Sequence, residues 1–316
     1  MFRIGFDVGG TNIAAGLVNE SLDIVQHKSV PFPNGKGGEY TASVIARIVR
    51  ELLQAQGATE SELECIGVAV PGSIDRRGEF VIDAYNLQFH NVPLCSQVQA
   101  FFPNVPVFLA NDANAAALAE LHKGAFMGCK TAVLMTLGTG VGGGLILNGK
   151  MFNGGNGSGV ELGHMVLKHD GDLCTCGLHG CVESYCTATW LVKEGRRAVV
   201  EYVSSMIYTS AHGNMDNVNA KLVVDCAKAG DRVALDIFER YVDALGSAVT
   251  SLVNLFDPEV VALGGGVSLA GDFLFEPLRE NVHKKMFFPS CGRIVPAQMG
   301  NDAGIIGAAM LKFNAE

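Results

Sequence analysis

Three cysteines fall within eight positions of the segment HDGDLCTCGLHGCVES, residues 169–184. Cys174-x-Cys176-x4-Cys181, with His164 ten residues upstream, offers three soft thiolates and one imidazole. Such a Cys3His set suits a tetrahedral Zn²⁺, and with protein donors at all four positions no site is left for a reactive water. A zinc held there is structural. On spacing alone, His169 and His179 are rival nitrogen ligands. A disulfide staple is disfavoured, because the chain has nine cysteines, an odd number, and most are scattered outside this cluster. A nucleic-acid knuckle would sit among basic and aromatic residues, whereas Asp170, Asp172 and Glu183 flank this one.

Three glycine-rich loops are the second feature. Residues 138–143, GTGVGG, satisfy G-x-G-x-x-G, but a dinucleotide fingerprint must open a helix whose N-terminus holds the pyrophosphate. Here the loop runs into GLILNG, an apolar strand ending in an Asn-Gly turn, and the dinucleotide reading fails. A phosphate clamp built from hairpin turns fits better, since bare glycine backbone lets N–H groups approach phosphate oxygens closely. Asp7-Val8-Gly9-Gly10-Thr11 supplies a carboxylate for a magnesium shell and a hydroxyl, and Gly138-Thr139-Gly140 supplies a second threonine turn. Gly264-Gly265-Gly266 follows a strand and would let an adenine lie flat against backbone. Any one of these is an ordinary tight turn taken alone. Three in one chain, two of them in repeated units, favour the clamp.

The third feature is a carboxylate at a strand-to-helix junction. LANDANAAALAE brings Asn111 and Asp112 to the start of an Ala-rich helix. An aspartate there is a good N-cap, and it is equally placed to reach into a cleft as a general base.

The elements that must position these groups come in two similar halves. RIGFDV, GGTN and IAAGLVN make strand, glycine turn and strand, followed by a strand in LDIVQHKSV. Residues 40–57, YTASVIARIVRELLQAQG, form an amphipathic helix with Ile45, Ile48, Val49, Leu52 and Leu53 on one face and Gly57 ending it. ECIGVAV and VPVFLAND are further strands, the second running into the helix ANAAALAELHKG. TAVLMTL, GTGVGG and GLILNGKMFNG then repeat the opening pattern. A long helix over DRVALDIFERYVDALGSAVTSLVNLF, a strand in PEVVALGGGVS and a small-residue helix in NDAGIIGAAMLKF complete the chain. Alternating strands and helices give an α/β class with mixed sheets. The repeat divides the chain into a small lobe of residues 1–115, with a C-terminal helix of about 302–316 packing back on it, and a large lobe of residues 116–301 carrying the zinc loop.

Composition narrows the partners. At 316 residues and 48% hydrophobic, the chain has a sizeable core. A formal net charge of -9 argues against nucleic acid, which needs a basic face. No apolar run approaches the roughly 20 residues of a membrane span. MFRIGFDVGG reaches its turn by residue 9, leaving no room for a signal peptide, and a cytoplasmic location is expected.

DVGGTN, LGTGVGGG, LGGGVS and the cysteine segment together resemble the ROK family of sugar kinases and repressors, within the actin-like ATPase superfamily. The resemblance runs from Gly5 to about Ala309, and VAVPGSID, NLQFHNVPL and NDAGIIGAA are similar to stretches of its bacterial glucokinases. It implies an actin-like, duplicated ribonuclease-H-like α/β fold of two lobes with a cleft between them. It implies Mg-ATP as co-substrate, held by Asp7, Gly9, Gly10, Thr11, Asn12, Gly138, Thr139, Gly140, Gly264, Gly265 and Gly266. It favours His164 as the fourth zinc ligand and makes Asp112 the catalytic base toward a hexose, with glucose and its 6-hydroxyl leading. Gly72, Asn86, Asn111, Asp112, Glu161, His164 and Glu183 would form the sugar site, the zinc-bound His164 turning its other nitrogen to a hydroxyl. N-acetylmannosamine, N-acetylglucosamine, mannose, allose and fructose are the alternative substrates. A non-catalytic sugar sensor is the rival class, but family repressors carry a helix-turn-helix ahead of the first glycine turn and Asp7 is the seventh residue here. The family's kinases are commonly homodimers or homotetramers. One departure stands out: Ser158-Gly159-Val160 precedes Glu161 where the family has a small pair ending in glycine, so the loop carrying Glu161 is expected to be reshaped.

Overall fold

The computed structural model describes residues 1–33, 35–155 and 159–315. Two compact units divide it: residues 1–130, 144–160 and 298–316 form the first, and residues 131–143 and 161–297 the second.

In the first unit, β1 (Phe2–Val8), β2 (Asn12–Val18) and β3 (Ile24–Pro31) form an antiparallel meander. Helix α1 (Gly37–Gln56) then returns the chain to β4 (Leu63–Val70), which pairs parallel to β1 in the register Gly5↔Gly67 and Asp7↔Ala69. The five residues expected on the buried face of α1 are all buried, and Gly57 ends the helix in the left-handed conformation. A three-stranded sheet follows that the sequence pattern did not reveal: β5 (Ser73–Ile74), β6 (Val81–Ala84) and β7 (Phe89–Val92), with strands too short for a period of two to register. After α2 (Leu94–Gln99), β8 (Val107–Asn111) completes the main sheet parallel to β4 and opens into α3 (Asp112–Lys123).

The second unit repeats the plan. β9 (Ala132–Leu137) and β10 (Val141–Leu147) flank the second glycine turn; the last residues of β10, with β11 (Lys150–Met151), already belong to the first unit. Helices α4 (Ala188–Glu201), α5 (Met206–Ser210), α6 (Ala220–Lys228) and α7 (Arg232–Phe256) precede β12 (Val260–Gly264), which lies parallel to β9. Helix α8 (Asp272–Lys285) leads to β13 (Arg293–Pro296), parallel to β12. The strand, glycine turn and returning strand occur twice, as the sequence repeat implied, and each set lies beside two further parallel strands.

The chain ends back in the first unit with α9 (Ala303–Ala309) and α10 (Leu311–Ala315), two short helices interrupted at Met310 where one was expected. The main sheet of that unit has two unlike faces. Ile4, Phe6, Val8, Ile66, Val68 and Val70 are buried in a cluster with α1, while Gly5, Gly67 and Ala69 alternate onto the other face. There α9 lies so close that a Cβ on Gly67 would fall 1.8 Å from the Ala308 carbonyl oxygen. Helix α3 packs against α9, β4 and β8, so the compact division falls at Lys130/Thr131 and not near residue 115. The repeat boundary read from sequence marked the end of a strand, whereas burial of its Ala-rich face keeps α3 with the first sheet.

Candidate active site

The turn between β1 and β2 is closed by the Gly9 N–H, which donates to the Asn12 carbonyl at 2.9 Å. It leaves Thr11 and Asn12 exposed, with Gly9 and Gly10 half-buried. Asp7 ends the same strand in a half-buried position, and burial pushes its carboxyl above the usual carboxylate range. A Cβ on Gly304 of α9 would come within 2.7 Å of the Asp7 carboxylate oxygen, so a glycine on that helix makes room for the acid. Sequence reading picked out Asp7 but missed Gly304, because only the fold brings residues so distant in sequence together.

At the junction of β8 and α3, the cap falls one residue earlier than the N-cap position expected for Asp112. Asn111 is the N-cap: its Oδ1 accepts from the N–H groups of Ala113 at 2.9 Å and Asn114 at 3.2 Å. Its Nδ2 donates to the Gly72 carbonyl at 3.0 Å. Asp112 is therefore the first residue inside the helix, half-buried, with one carboxylate oxygen accepting from the Ala113 N–H at 2.8 Å. A cavity of about 390 Å³ in the same unit is lined by Ala110, Asn111, Asn114, Asn153, Gly159 and Arg77, among others. Asn114 Nδ2 donates to Asn153 Oδ1 at 3.3 Å, and its own Oδ1 is buried with no partner among the described residues. Asn114 was not singled out from sequence, although its position three residues after Asn111 in a helix was a usable signal.

Gly72 has φ +98°, and a Cβ there would meet the Asp83 carbonyl oxygen at 2.1 Å. The adjoining strand β6 therefore by itself requires a glycine at this position. Asn86 lies exposed in a short 3-10 turn over Tyr85–Leu87. The left-handed residue before Glu161 is Gly159, at φ +84°, and Val160 has no positive φ. The valine is accommodated because the left-handed conformation falls on Gly159 and not on Val160; Ser158 lies outside the described residues.

In the second unit the Gly138 N–H donates to the Gly140 carbonyl at 3.0 Å. The first residues of α4 pin the turn from behind: the Ala188 N–H donates to the Gly138 carbonyl at 2.8 Å and the Thr189 hydroxyl to the Thr139 carbonyl at 3.0 Å. Both carbonyls are thereby engaged, and Thr139 itself stays exposed. Gly264 ends β12, and Gly265 and Gly266 follow it exposed at the start of a 3-10 turn.

The same unit brings the expected ligands together. The donor atoms of His164, Cys174, Cys176 and Cys181 all lie within 4.8 Å of one another. Cys176 Sγ and Cys181 Sγ are 3.7 Å apart, as are Cys174 Sγ and His164 Nδ1. A tetrahedron with Zn–S of about 2.3 Å has edges of about 3.8 Å, so the four residues fit that ion. The rival histidines are occupied elsewhere: His179 Nδ1 is 2.9 Å from the Gly171 carbonyl, and His169 is paired with Asp170 at the surface. Burial pushes the Cys174 thiol up, but hydrogen bonds from Cys176, Cys181 and His164 outweigh it and bring its pKa to about 7. Burial and the neighbouring thiols push Cys181 up to about 12. The raised Cys181 thiol is the one that a bound cation would bring down. Glu161 is exposed at the foot of this loop. Glu183 is half-buried with both oxygens engaged, Oε2 accepting from the Val141 N–H at 3.0 Å and Oε1 from the Thr175 hydroxyl at 2.7 Å.

Two units of one strand–turn–strand plan, glycine turns at matching strand ends and a carboxylate at a helix start agree with the actin-like ATPase fold that the family resemblance implied. The chain belongs to the ROK family, whose model matches residues 3–314. It is 40% identical over 313 residues to a glucokinase of Thermotoga maritima, the match covering 98% of this chain and 96% of the relative. It is similar in structure to a ROK family glucokinase from Streptomyces griseus in complex with glucose and AMPPNP, at a TM-score of 0.82 and 32% identity over 98% of this chain and 99% of that one. A ROK hexokinase from Thermus thermophilus gives a TM-score of 0.83 and 32% identity, with both chains fully covered.

Proposed function

We infer that this protein is an ATP-dependent hexose kinase that phosphorylates glucose, with the 6-hydroxyl as acceptor. The observation that carries the reading is the 40% identity to a glucokinase along nearly the whole of both chains. Asp112 at the first helical position, with Asn111 taking the cap, is compatible with it.

Asp112 is the general base: its carboxylate takes the proton of the attacking hydroxyl as that oxygen bonds to the γ-phosphorus, and ADP leaves. Asn111 supports the sugar beside it. Its oxygen is spent on the cap, and one hydrogen of its amide has no partner among the described residues and can donate. Glu161, His164 and Glu183 meet further hydroxyls, as a buried polyol requires paired donors and acceptors. Glu183 retains this capacity because each carboxylate oxygen accepts more than one hydrogen bond.

The N–H groups of Gly9 and Gly138 close their own turns, so those of Gly10, Thr11, Thr139 and Gly140 are the ones to meet the phosphates, and Gly264–Gly266 the adenine. Asp7 is the residue to hold Mg²⁺, which when bound neutralises phosphate oxygens. His164, Cys174, Cys176 and Cys181 would hold a structural zinc, and Nδ1 on the metal side leaves the Nε2 hydrogen as a fixed donor. Assembly as a homodimer or homotetramer completes the proposal and is read by light scattering on the eluted protein.

The deciding experiment is a panel of glucose, mannose, fructose, allose and the two N-acetylhexosamines with Mg-ATP, following ADP release. Highest kcat/KM for glucose supports the reading. A higher value for an N-acetylhexosamine reassigns the substrate, and glucose binding without ADP release makes the protein a sensor.

A further inference from the structure

Thr175 stands between two of the cysteine ligands, exposed, at the second position of a turn closed by the Gly177 N–H donating to the Cys174 carbonyl at 3.0 Å. Its hydroxyl donates to Glu183 Oε1 at 2.7 Å. The other oxygen of Glu183 accepts from the N–H of Val141, the residue that leaves the Gly138-Thr139-Gly140 turn. The same carboxylate packs against that turn: a Cβ on Gly140 would lie 2.6 Å from Glu183 Oε2. One carboxylate thus spans the cysteine loop and the glycine turn, gripped at each end.

We propose that Thr175 is a positioning residue for nucleotide binding: through Glu183 it fixes the glycine turn in the conformation that receives phosphate. The physical reason is rotational. A carboxylate bonded at one oxygen only swings about its Cγ–Cδ bond, whereas a second donor on the other oxygen locks the plane and with it the direction of the Val141 N–H bond. A turn so held loses less freedom when phosphate arrives, and the benefit is read as affinity. Without the hydroxyl, Oε1 keeps only the long contact with Cys174 Sγ at 3.8 Å, a weak donor that a cation on the thiolate would remove, and the carboxylate loses its fixed angle. The inference rests on the kinase reading above, since it takes the Gly138–Gly140 turn to be a phosphate site.

The test compares T175V, T175A and T175S with the parent, measuring affinity for a non-hydrolysable ATP analogue by calorimetry and KM for ATP and for glucose separately. Loss of one hydrogen bond to a charged group predicts a roughly three- to ten-fold weaker analogue affinity and a matching rise in KM for ATP in T175V and T175A. KM for glucose should change less than KM for ATP, and T175S should restore the parent values. In an E183Q background, T175V should add little, because the strut is already broken. Parent-like analogue affinity in T175V, a shift confined to glucose, or additivity in the double variant overturns the proposal. Each variant is taken at the parent's metal content and Tm; if only those two properties move while analogue affinity per folded molecule does not, the role is structural and the proposal is wrong. Failure of the parent itself to bind the analogue or turn over glucose would instead overturn the kinase reading, so the two failures are told apart.

Discussion

Two carboxylates, Asp112 and Asp7, show how far a residue's type determines its role and where its neighbours take over. Asp112 stands where a capping aspartate would stand, but Asn111 accepts both N–H bonds of the first turn that define the cap. Asp112→Asn should therefore fold normally and bind glucose, while losing kcat by about 10²–10⁴-fold, the usual worth of a positioned base. Parent-like turnover in steady-state assays would remove Asp112 from the reaction. Asp7 is a charge held against its preference, its carboxyl raised by burial. Between its unfolded value and the raised native one, the native state holds more protons, so stability contributed by this group falls as pH rises through that interval. Asp7→Asn removes the burden. Its Tm advantage over the metal-free parent should be absent at acid pH, grow as pH rises through the interval and then level off, while Mg-ATP turnover is lost. A Tm difference constant across pH would show that the carboxyl is not the source.

Among the elements, the C-terminal helix α9 packs on β1, β4 and β2, with Gly304 beside Asp7 at the end of β1. Glu120 of α3, 1% exposed, accepts from the Ala125 N–H at 2.7 Å through one oxygen. Through the other it accepts from Gln298 and Met299 at 2.7 and 2.8 Å, fixing the segment that leads into α9. Glu120→Gln turns one acceptor into a donor facing backbone N–H groups and should cost about 2–3 kcal/mol in urea unfolding at neutral pH. A loss below about 0.5 kcal/mol, the scale of an unremarkable surface change, would mean the carboxylate is dispensable. Sequence patterns found α1, α3, α7 and the long strands because each is long enough to display its period. They missed the β5–β7 sheet, whose strands are two to four residues long. They also missed Glu120, since nothing in a helical run of alanines marks which acid turns inward.

For the molecule as a whole, the cysteine loop is a segment that a hydrophobic core does little to order. Val166, Leu173 and Leu178 of this loop are all more than 60% exposed, so apolar burial contributes little to it. Stripping metal with a chelator should lower Tm, open residues 165–181 to proteolysis and weaken glucose binding, with zinc restoring all three. A purified protein with zinc far below one per chain and an unchanged Tm would contradict the clip. The sequence by itself determined the duplicated strand–turn–strand plan, the four-ligand set once the family likeness was joined to it, and the glycine turns, because each is a local pattern of residue types at fixed spacing. Only tertiary structure decided that Asn111 and not Asp112 caps α3, that Gly72 answers to Asp83, that α9 closes over a glycine-lined sheet face, and that Glu183 joins the cysteine loop to the second turn. Those outcomes depend on which distant atoms arrive within hydrogen-bonding or van der Waals reach, a property of packing that no spacing along the chain encodes.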